Sequence, residues 1–490
     1  MHWAVTPTVS DIIEQARQAA RAFAEFGENL LHPTVRLGVT GLSRAGKTVF
    51  ITALVHGLVR GGRFPVFEAM ASGRIAGARL APQPDDAVPR FEYERHVRAL
   101  VEERVWPDST RQISELRVVI DYQSAGGAMR TLTLDIVDYP GEWLLDLPLL
   151  GKSYEQWSAE TLAHLRRLVP ASLAAPYLAH VATADALAPA DENAAIEAAR
   201  IFTQCLLECR KAHDTLSMVA PGRFLMPGDL AGSPALTFAP LALPEGGELP
   251  PGSNGAMMRR RYDAYRDVVV RPFFREHFAR LDRQIVLVDV LAALGSGPAA
   301  LRDLQDATVA VLDCFRVGRG GWLNALFSPR ADKILFAATK ADQVHHSGHD
   351  RLEAILKRMT DVAILRAGDA GAEVDVIALA AVRATREAMV RGEGGGLPSI
   401  VGVAAPGTGP QGKDFDGEAE VAVFPGDLPA DAGALFGEAG LPPSGGIAEG
   451  DFRSVRFRPP ALEKTEDGLP VLPHIRLDRA LQFLIGDRLR

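Results

Sequence analysis

With 490 residues, 47% hydrophobic and 23% charged, the chain has length for roughly three domain-sized units and can bury a large core, which excludes a wholly disordered protein. A formal net charge of −8 argues against general affinity for nucleic acid. Apolar runs are broken by Arg, Pro or Gly well short of the ~20 residues that span a bilayer, so no transmembrane segment is expected.

The opening "MHWAVTPTVS" lacks the basic start and apolar core of a signal peptide. Three cysteines, an odd number, give no disulfide framework and suit a reducing compartment, so a cytoplasmic location is expected. Within the N-terminal segment 1–33, Ile12, Ile13, Ala16, Ala20 and Phe23 share one face of an amphipathic helix over residues 10–31. A strand, "VRLGVTG", and a helix apolar nearly all round, "TVFITALVHGLV", follow. After a loop-rich stretch and a helix ending near "VEERVWPDST", the runs "SELRVVIDY" and "RTLTLDIVD" flank the Gly-Gly of "QSAGGAMR", which predicts an antiparallel hairpin.

Residues 145–280 turn mainly helical and Ala-rich, most clearly in "SAETLAHLRRL" and "ADENAAIEAARIFTQCLLEC". Cys205, Cys209 and His213 fall at i, i+4 and i+8 there; with no further ligand nearby, buried packing is expected rather than a metal. In "MMRRRYDAYRDVVVRPFFREHFARLDRQ" the arginines alternate with Asp263, Asp267, Glu276 and Asp282, which reads as a solvated helix face or a partner or phosphate surface. Buried-strand runs return as "QIVLVDV", "KILFAAT" and "AEVDVIALAA", separated by helical stretches; in "HDRLEAILKRMTD", Asp350 and Glu353 stand as a capping box. Residues 391–450 hold 16 of the 46 glycines, which predicts loops, short strands or a flexible insertion. "LDRALQFLIGDRLR" closes the chain with a Leu477, Leu481, Leu484 stripe.

Strands alternating with helices predict an α/β fold with a mostly parallel sheet covered on both faces. The expected organisation is a core in two parts, 34–144 and 281–390, closed by a helix in 471–490. A helical insertion, 145–280, and a Gly/Pro-rich one, 391–470, would interrupt it.

The joint between the first strand and helix, Gly41-Leu42-Ser43-Arg44-Ala45-Gly46-Lys47-Thr48, fits G-x-x-x-x-G-K-[ST]. Glycines let successive N–H groups turn toward an anion, and the helix start adds its positive dipole end. Gly41, Ser43, Arg44, Ala45, Gly46, Lys47, Thr48 and Val49 are the candidate phosphate contacts. Lys47 would reach the outer phosphates and the Thr48 hydroxyl would join a Mg2+ shell. A second carboxylate comes from "TLTLDIVDYPGEW", where Asp138 ends an apolar strand and can hold a magnesium-bound water; the Gly141 N–H can meet a γ-phosphate. Thr110 is the switch I candidate for metal and γ-phosphate, with Ser109 as the runner-up.

"ILFAATKADQ" sets Thr339-Lys340-Ala341-Asp342 just after a buried strand, an [N/T]-K-x-D element. The Asp342 carboxylate can accept from guanine N1–H and N2–H2 together, a donor pair that adenine lacks, while the Lys340 stem packs along the base. Ala381 or Val382, in "ALAAVRATRE", can offer a backbone N–H to guanine O6. In "QVHHSGHD", His345, His346 and His349 read as a polar loop outside the base pocket or as transition-metal ligands.

These elements occur in the order found in translation-factor and Ras-related GTPases. In "GLSRAGKTVFITALVHGL", "DYPGEWLLDLPLL", "RQIVLVDVL", "TKADQVHH" and "HIRLDRALQFLIGDRLR" the chain resembles, more narrowly, the YcjX-like family of bacterial proteins. That resemblance implies a three-layer P-loop G domain, GTP/GDP and Mg2+ as ligands, cytoplasmic residence, nucleotide-dependent switching and a link to stress regulons. Asp138 and Asp342 lie about 200 residues apart, so the helical insertion follows the metal-binding loop, where it would move when the γ-phosphate leaves and meet a protein partner. Glu142 takes the place of the Ras-type water-orienting Gln; it would polarise the attacking water or cap a helix. Arg44, inside the phosphate loop, would approach the β–γ bridging oxygen as a cation supplied in cis, or face solvent.

The function expected is slow Mg-dependent GTP hydrolysis in a conformational switch, with Lys47, Glu142 and Arg44 as its catalytic candidates. A scaffold that keeps GDP or GTP without turnover is the alternative. A P-loop kinase using ATP would find its lid in the arginines of 259–283 but leaves T-K-A-D unexplained.

Overall fold

The computed structural model describes residues 33–42, 44–108, 110, 112–167, 169, 171–212, 221–244, 246, 248–313, 331–369, 371–392, 395–408, 414–436, 455–463 and 470–490. The helix expected at 10–31, Ser43, Ser109 and His213 lie outside them. A seven-stranded sheet organises the chain. At its centre, β1 (Thr34–Gly41) runs parallel to β4 (Met129–Asp138) on one side and to β5 (Arg283–Val288) on the other. Parallel β6 (Lys333–Ala338) and β7 (Glu373–Ala378) extend it beyond β5. Beyond β4, β3 (Ser114–Gln123) and β2 (Ile75–Ala81) are antiparallel, so β3–β4 is the expected hairpin.

Strand β2 stands where a loop was expected. "IAGARLA" has no apolar alternation, Gly77 interrupts it and the register shifts between Ile75 and Gly77. Backbone pairing to β3 sets this edge strand, with Ile75, Ala78 and Leu80 only partly buried against the core.

The strands are apolar on both sides because helices cover both. In β5, Ile285 and Leu287 enter one core while Val286 and Val288 enter another; in β6, Leu335 and Ala337 oppose Ile334 and Phe336 in the same way. The first core takes α1 (Lys47–Arg60), of whose 14 residues all but three are buried. It also takes the C-terminal helix Leu477–Ile485, with Leu481 and Leu484 fully enclosed.

A third core belongs to the insertion, built from α2 (Tyr154–Arg167), α3 (Ala171–Thr183), α4 (Glu192–Ala212) and α5 (Asn254–Tyr265). Aromatic rings fill it; Trp157 stacks on Tyr262 with centroids 5.1 Å apart. Cys205 and Cys209 are buried in this core, where the Cys205 thiol donates to the Leu173 carbonyl at 3.5 Å. The second sheet core holds α6 (Pro298–Asp313) and α7 (His349–Asp369). Helix α7 begins at His349, and Glu353 closes no capping box: its carboxylate accepts from the Ala378 N–H at 2.9 Å and pairs with Arg476.

In the glycine-rich region, β8 (Arg386–Gly392), β9 (Gly395–Val403) and β10 (Glu420–Val423) form a three-stranded antiparallel sheet. Ile400, Ala404, Val455 and Phe457 make its small core. No helix among the described residues is long and apolar enough to cross a membrane.

Candidate functional site

At the carboxyl ends of the parallel strands lies a cavity of about 800 Å³. Gly41 ends β1, Asp138 ends β4, and Asp289 and Thr339 follow β5 and β6, so strand register brings these residues to one end of the sheet; Gly41, Asp289 and Thr339 line the cavity, while Asp138 is buried behind it.

The turn from β1 into α1 is shaped by its glycines. Gly46 caps α1 with φ 89°, a left-handed conformation that costs a residue with a Cβ about 1–2 kcal/mol. A Cβ at Gly41 would stand 2.7 Å from the Leu287 carbonyl oxygen. Arg44 also has a left-handed backbone, φ 64°, and lines the cavity with Ala45 and Val49. The Lys47 ammonium is buried and donates to the Gly41 carbonyl at 2.9 Å. Burial pulls its pKa down, against the opposing charges of Asp138 and Glu142.

Below it three oxygen-bearing side chains meet. Thr48 Oγ1 is 3.2 Å from Thr110 Oγ1, whose hydroxyl donates to Asp138 Oδ2 at 2.6 Å. Asp138 is 1% exposed, and its Oδ1 has no hydrogen-bond partner among the described residues. Burial lifts its pKa to about 6, with the Lys47 charge and the Thr110 hydrogen bond acting in the other direction.

Gly141 opens the short helix Gly141–Leu144, and Glu142 and Leu144 from that turn line the cavity. Glu142 makes no cap; its buried carboxylate pairs with the Arg210 guanidinium of α4 at 2.6 Å. The same turn is clasped by the insertion. Asp146 accepts from the Gly222 N–H at 2.7 Å, the Arg223 N–H at 3.3 Å and the Tyr265 hydroxyl at 2.7 Å. Arg223 lies 3.2 Å over the Trp143 ring, whose Nε1–H donates to the Met226 carbonyl at 3.0 Å.

At the far end, Lys340 takes a left-handed backbone, φ 60°, and its ammonium pairs with Asp289. Thr339 stays tied to β5, its N–H donating to the Val288 carbonyl at 2.9 Å. Asp342 is buried and accepts from the Ala384 N–H at 2.9 Å. Burial raises its pKa to about 6, with that backbone hydrogen bond opposing. Ala381 and Val382 line the wall beside it, in a loop pinned by Ala380 N–H to Ile475 O at 3.1 Å and Arg383 N–H to Pro473 O at 2.6 Å.

Sequence reading missed four contributors. Asp289 carries a weak signal, an Asp ending the run "QIVLVD". Arg210 reaches Glu142 only through the folded insertion. Arg456 and Phe457 close one side of the cavity from the segment 455–463. That segment is held to the stretch before Thr110 by Trp106 Nε1–H to the Phe457 carbonyl, 2.6 Å, and Arg104 to the Pro459 carbonyl, 3.1 Å.

The arginines of 259–283 do not line the cavity; Arg259 pairs with Glu155 at 3.5 Å, Arg266 with Asp263 at 3.3 Å and Arg271 with Asp267 at 2.9 Å. His349 turns inward, its Nε2 2.9 Å from the Ala341 carbonyl, while His345 and His346 meet Glu387 outside the cavity.

The sequence model of the YcjX-like family, DUF463, matches residues 35–489. The chain is 38% identical over 472 residues to the "Ras-like GTPase YcjX" of Escherichia coli K12, covering 93% of this chain and 96% of that protein. It is 34% identical over 495 residues to the protein of the same name from Shewanella oneidensis, covering 94% and 97%. A solved structure, the signal recognition particle receptor SRb-GTP/SRX complex of Chaetomium thermophilum, is matched at 13% identity and a TM-score of 0.22 over 71% of this chain and 91% of that one, too low to relate the two folds. A phosphate-loop turn at the end of β1 and matches along nearly the whole length lead to one assignment: this chain belongs to the YcjX-like family.

Proposed function

We propose that the chain binds guanine nucleotide in this cavity and hydrolyses GTP slowly with Mg2+, acting as a nucleotide-dependent switch. The observation that carries the reading is that one cavity is lined by the Lys47 turn, by Thr48 and Thr110, the latter bonded to buried Asp138 behind it, and by Asp342. The relatives' printed name, "Ras-like GTPase YcjX", supports it.

Phosphates would lie along the amides of residues 41–49, including Ser43, which is outside the described residues. The Lys47 ammonium exchanges its Gly41 contact for phosphate oxygens. A magnesium ion fits Thr48, Thr110 and Asp138: all are oxygen donors, and Asp138 Oδ1 is buried with no hydrogen-bond partner among the described residues. Bound there, it neutralises charge on the phosphates. The Gly141 N–H faces the γ-phosphate, Glu142 polarises the attacking water and Arg44 reaches the bridging oxygen. At the base end Asp342 takes the two guanine donors, Lys340 lies along the ring, and Ala381 or Val382 donates to O6. The insertion follows the turn Gly141–Asp146 through its hydrogen bonds to Gly222, Arg223 and Tyr265, and would present the change to a protein partner.

Phosphate release from GTP and from ATP, with Mg2+, tests the reading. Release from GTP alone is expected, lowered about 100-fold or more in Lys47→Ala. Unchanged turnover in Arg44→Ala or Glu142→Ala removes that residue from the chemistry. One observation favours a second reading, a guanine-nucleotide-bound scaffold without turnover: Glu142 is already engaged by Arg210. GTP bound without phosphate release would select it.

A further inference from the structure

The chain has a second cluster of ligand-type side chains, on the outer surface next to Asp342. We propose that His345, His346 and Glu387 form a binding site for a divalent transition-metal ion, zinc by donor type, that ties the loop after β6 to strand β8.

One ligand atom from each of the three residues can be chosen so that all lie within 4.8 Å of one another. His346 Nδ1 is 2.6 Å and His345 Nε2 3.9 Å from the same carboxylate oxygen, Glu387 Oε2. Tetrahedral zinc, with bonds of about 2.0–2.1 Å, separates its ligand atoms by roughly 3.3 Å, a value between those two distances. A hydrogen bond between imidazole and carboxylate accounts for the His346 contact alone. It leaves the second imidazole beyond hydrogen-bond reach of the same oxygen, with the two rings 4.1 Å apart between centroids. A shared cation would open the 2.6 Å hydrogen bond between His346 and Glu387 and close the 3.9 Å gap to His345, bringing all three groups to one tetrahedral spacing.

Neighbouring side chains on an extended segment point to opposite faces. Here the chain changes from extended at His345, φ −65° and ψ 150°, to a helical turn at His346–Gly348, which brings both imidazoles to one side. An imidazole bound through Nε2 carries its proton on Nδ1 and needs an acceptor there. Ser347 Oγ lies 2.9 Å from His345 Nδ1 and can accept that proton once the metal-bound tautomer replaces the present one, in which the Ser347 N–H donates to Nδ1 at 3.3 Å. Arg383 stands 3.7 Å from the other Glu387 oxygen, Oε1, and leaves Oε2 to the ion. The His346 side chain is 66% exposed, against 14% for His345 and 27% for Glu387, so the fourth position opens to water on the His346 side. His349, third in the histidine-rich run, is committed to the Ala341 carbonyl and takes no part.

The position gives the site its consequence. Asp342 and Ala384, three residues before His345 and Glu387 respectively, already join the same two segments through one hydrogen bond. A metal would be a second cross-link just outside the cavity.

Full-length protein, stripped with a chelator and free of nucleotide, is titrated calorimetrically with Zn2+, and with Co2+ for its absorption spectrum. One equivalent of Zn2+ is expected, with affinity about tenfold or more weaker in Glu387→Gln and lost in His346→Ala, both substitutions being at the surface. Zn2+ should raise Tm in the wild type and not in His346→Ala. Co2+ should show d–d bands without thiolate charge transfer, which separates this site from Cys205 and Cys209. Absence of stoichiometric binding, a thiolate band, or equal affinity in both folded variants would overturn the proposal, whatever the nucleotide cavity binds.

Discussion

Burial holds the Asp342 carboxyl at about 6, against an ordinary value of 3.8. If Asp342 selects guanine as proposed, only its ionised form accepts both donors, so recognition should weaken as pH falls through about 6. At pH 5 roughly one-tenth of the carboxyl is ionised and at pH 7 roughly nine-tenths. The ratio of GDP to ADP affinity should therefore drop about tenfold between pH 7 and pH 5; protonation of the phosphates is common to both ligands and cancels. A ratio that does not move with pH would show that the carboxylate does not select the base. Lys47, Asp138 and Asp342 could be named from sequence because short motifs fix their neighbours along the chain. Arg210, Arg456 and Phe457 could not, because only the folded insertion brings Arg210 to Glu142 and only the returning C-terminal segment brings the other two to the cavity.

Among the elements, the clasp between the turn Gly141–Asp146 and the segment after α4 is the most demanding. A Cβ on Gly222 would sit 1.8 Å from the Glu142 carbonyl oxygen, a backbone atom that cannot swing aside. Gly222→Ala should destabilise by roughly 1–3 kcal/mol, read by urea unfolding, and an unchanged midpoint would contradict the packing described. Tyr265→Phe removes one donor from buried Asp146 and should cost about 1–3 kcal/mol by the same measurement. The parallel strands were legible because two covering layers make them apolar throughout. Strand β2 was not, since an edge strand is set by its partner's backbone; the β8–β10 sheet was legible only as short strands among three alternatives, since glycine-rich segments give the same pattern whether or not they pair.

The whole molecule is a sheet with two faces and a separate aromatic core for the insertion, and its last helix helps close the first face. Leu481 of the C-terminal helix is fully buried in the core that also holds α1, the helix that follows the Gly41–Gly46 turn. Leu481→Ala should cost about 2–5 kcal/mol. A substitution without effect on unfolding would place that helix outside the core. The heptad-like leucine stripe predicted a helix there; which of two cores it joins depended on where the chain returns after residue 470, and no local pattern records that. Calorimetric titration of GDP and ADP with Mg2+ into the wild type and Asp342→Ala tests the nucleotide assignment most directly. The predicted result is one GDP site, preferred over ADP by about 100-fold, with the preference collapsing in the variant. No heat from GDP, or ADP bound as tightly in the wild type, would contradict it.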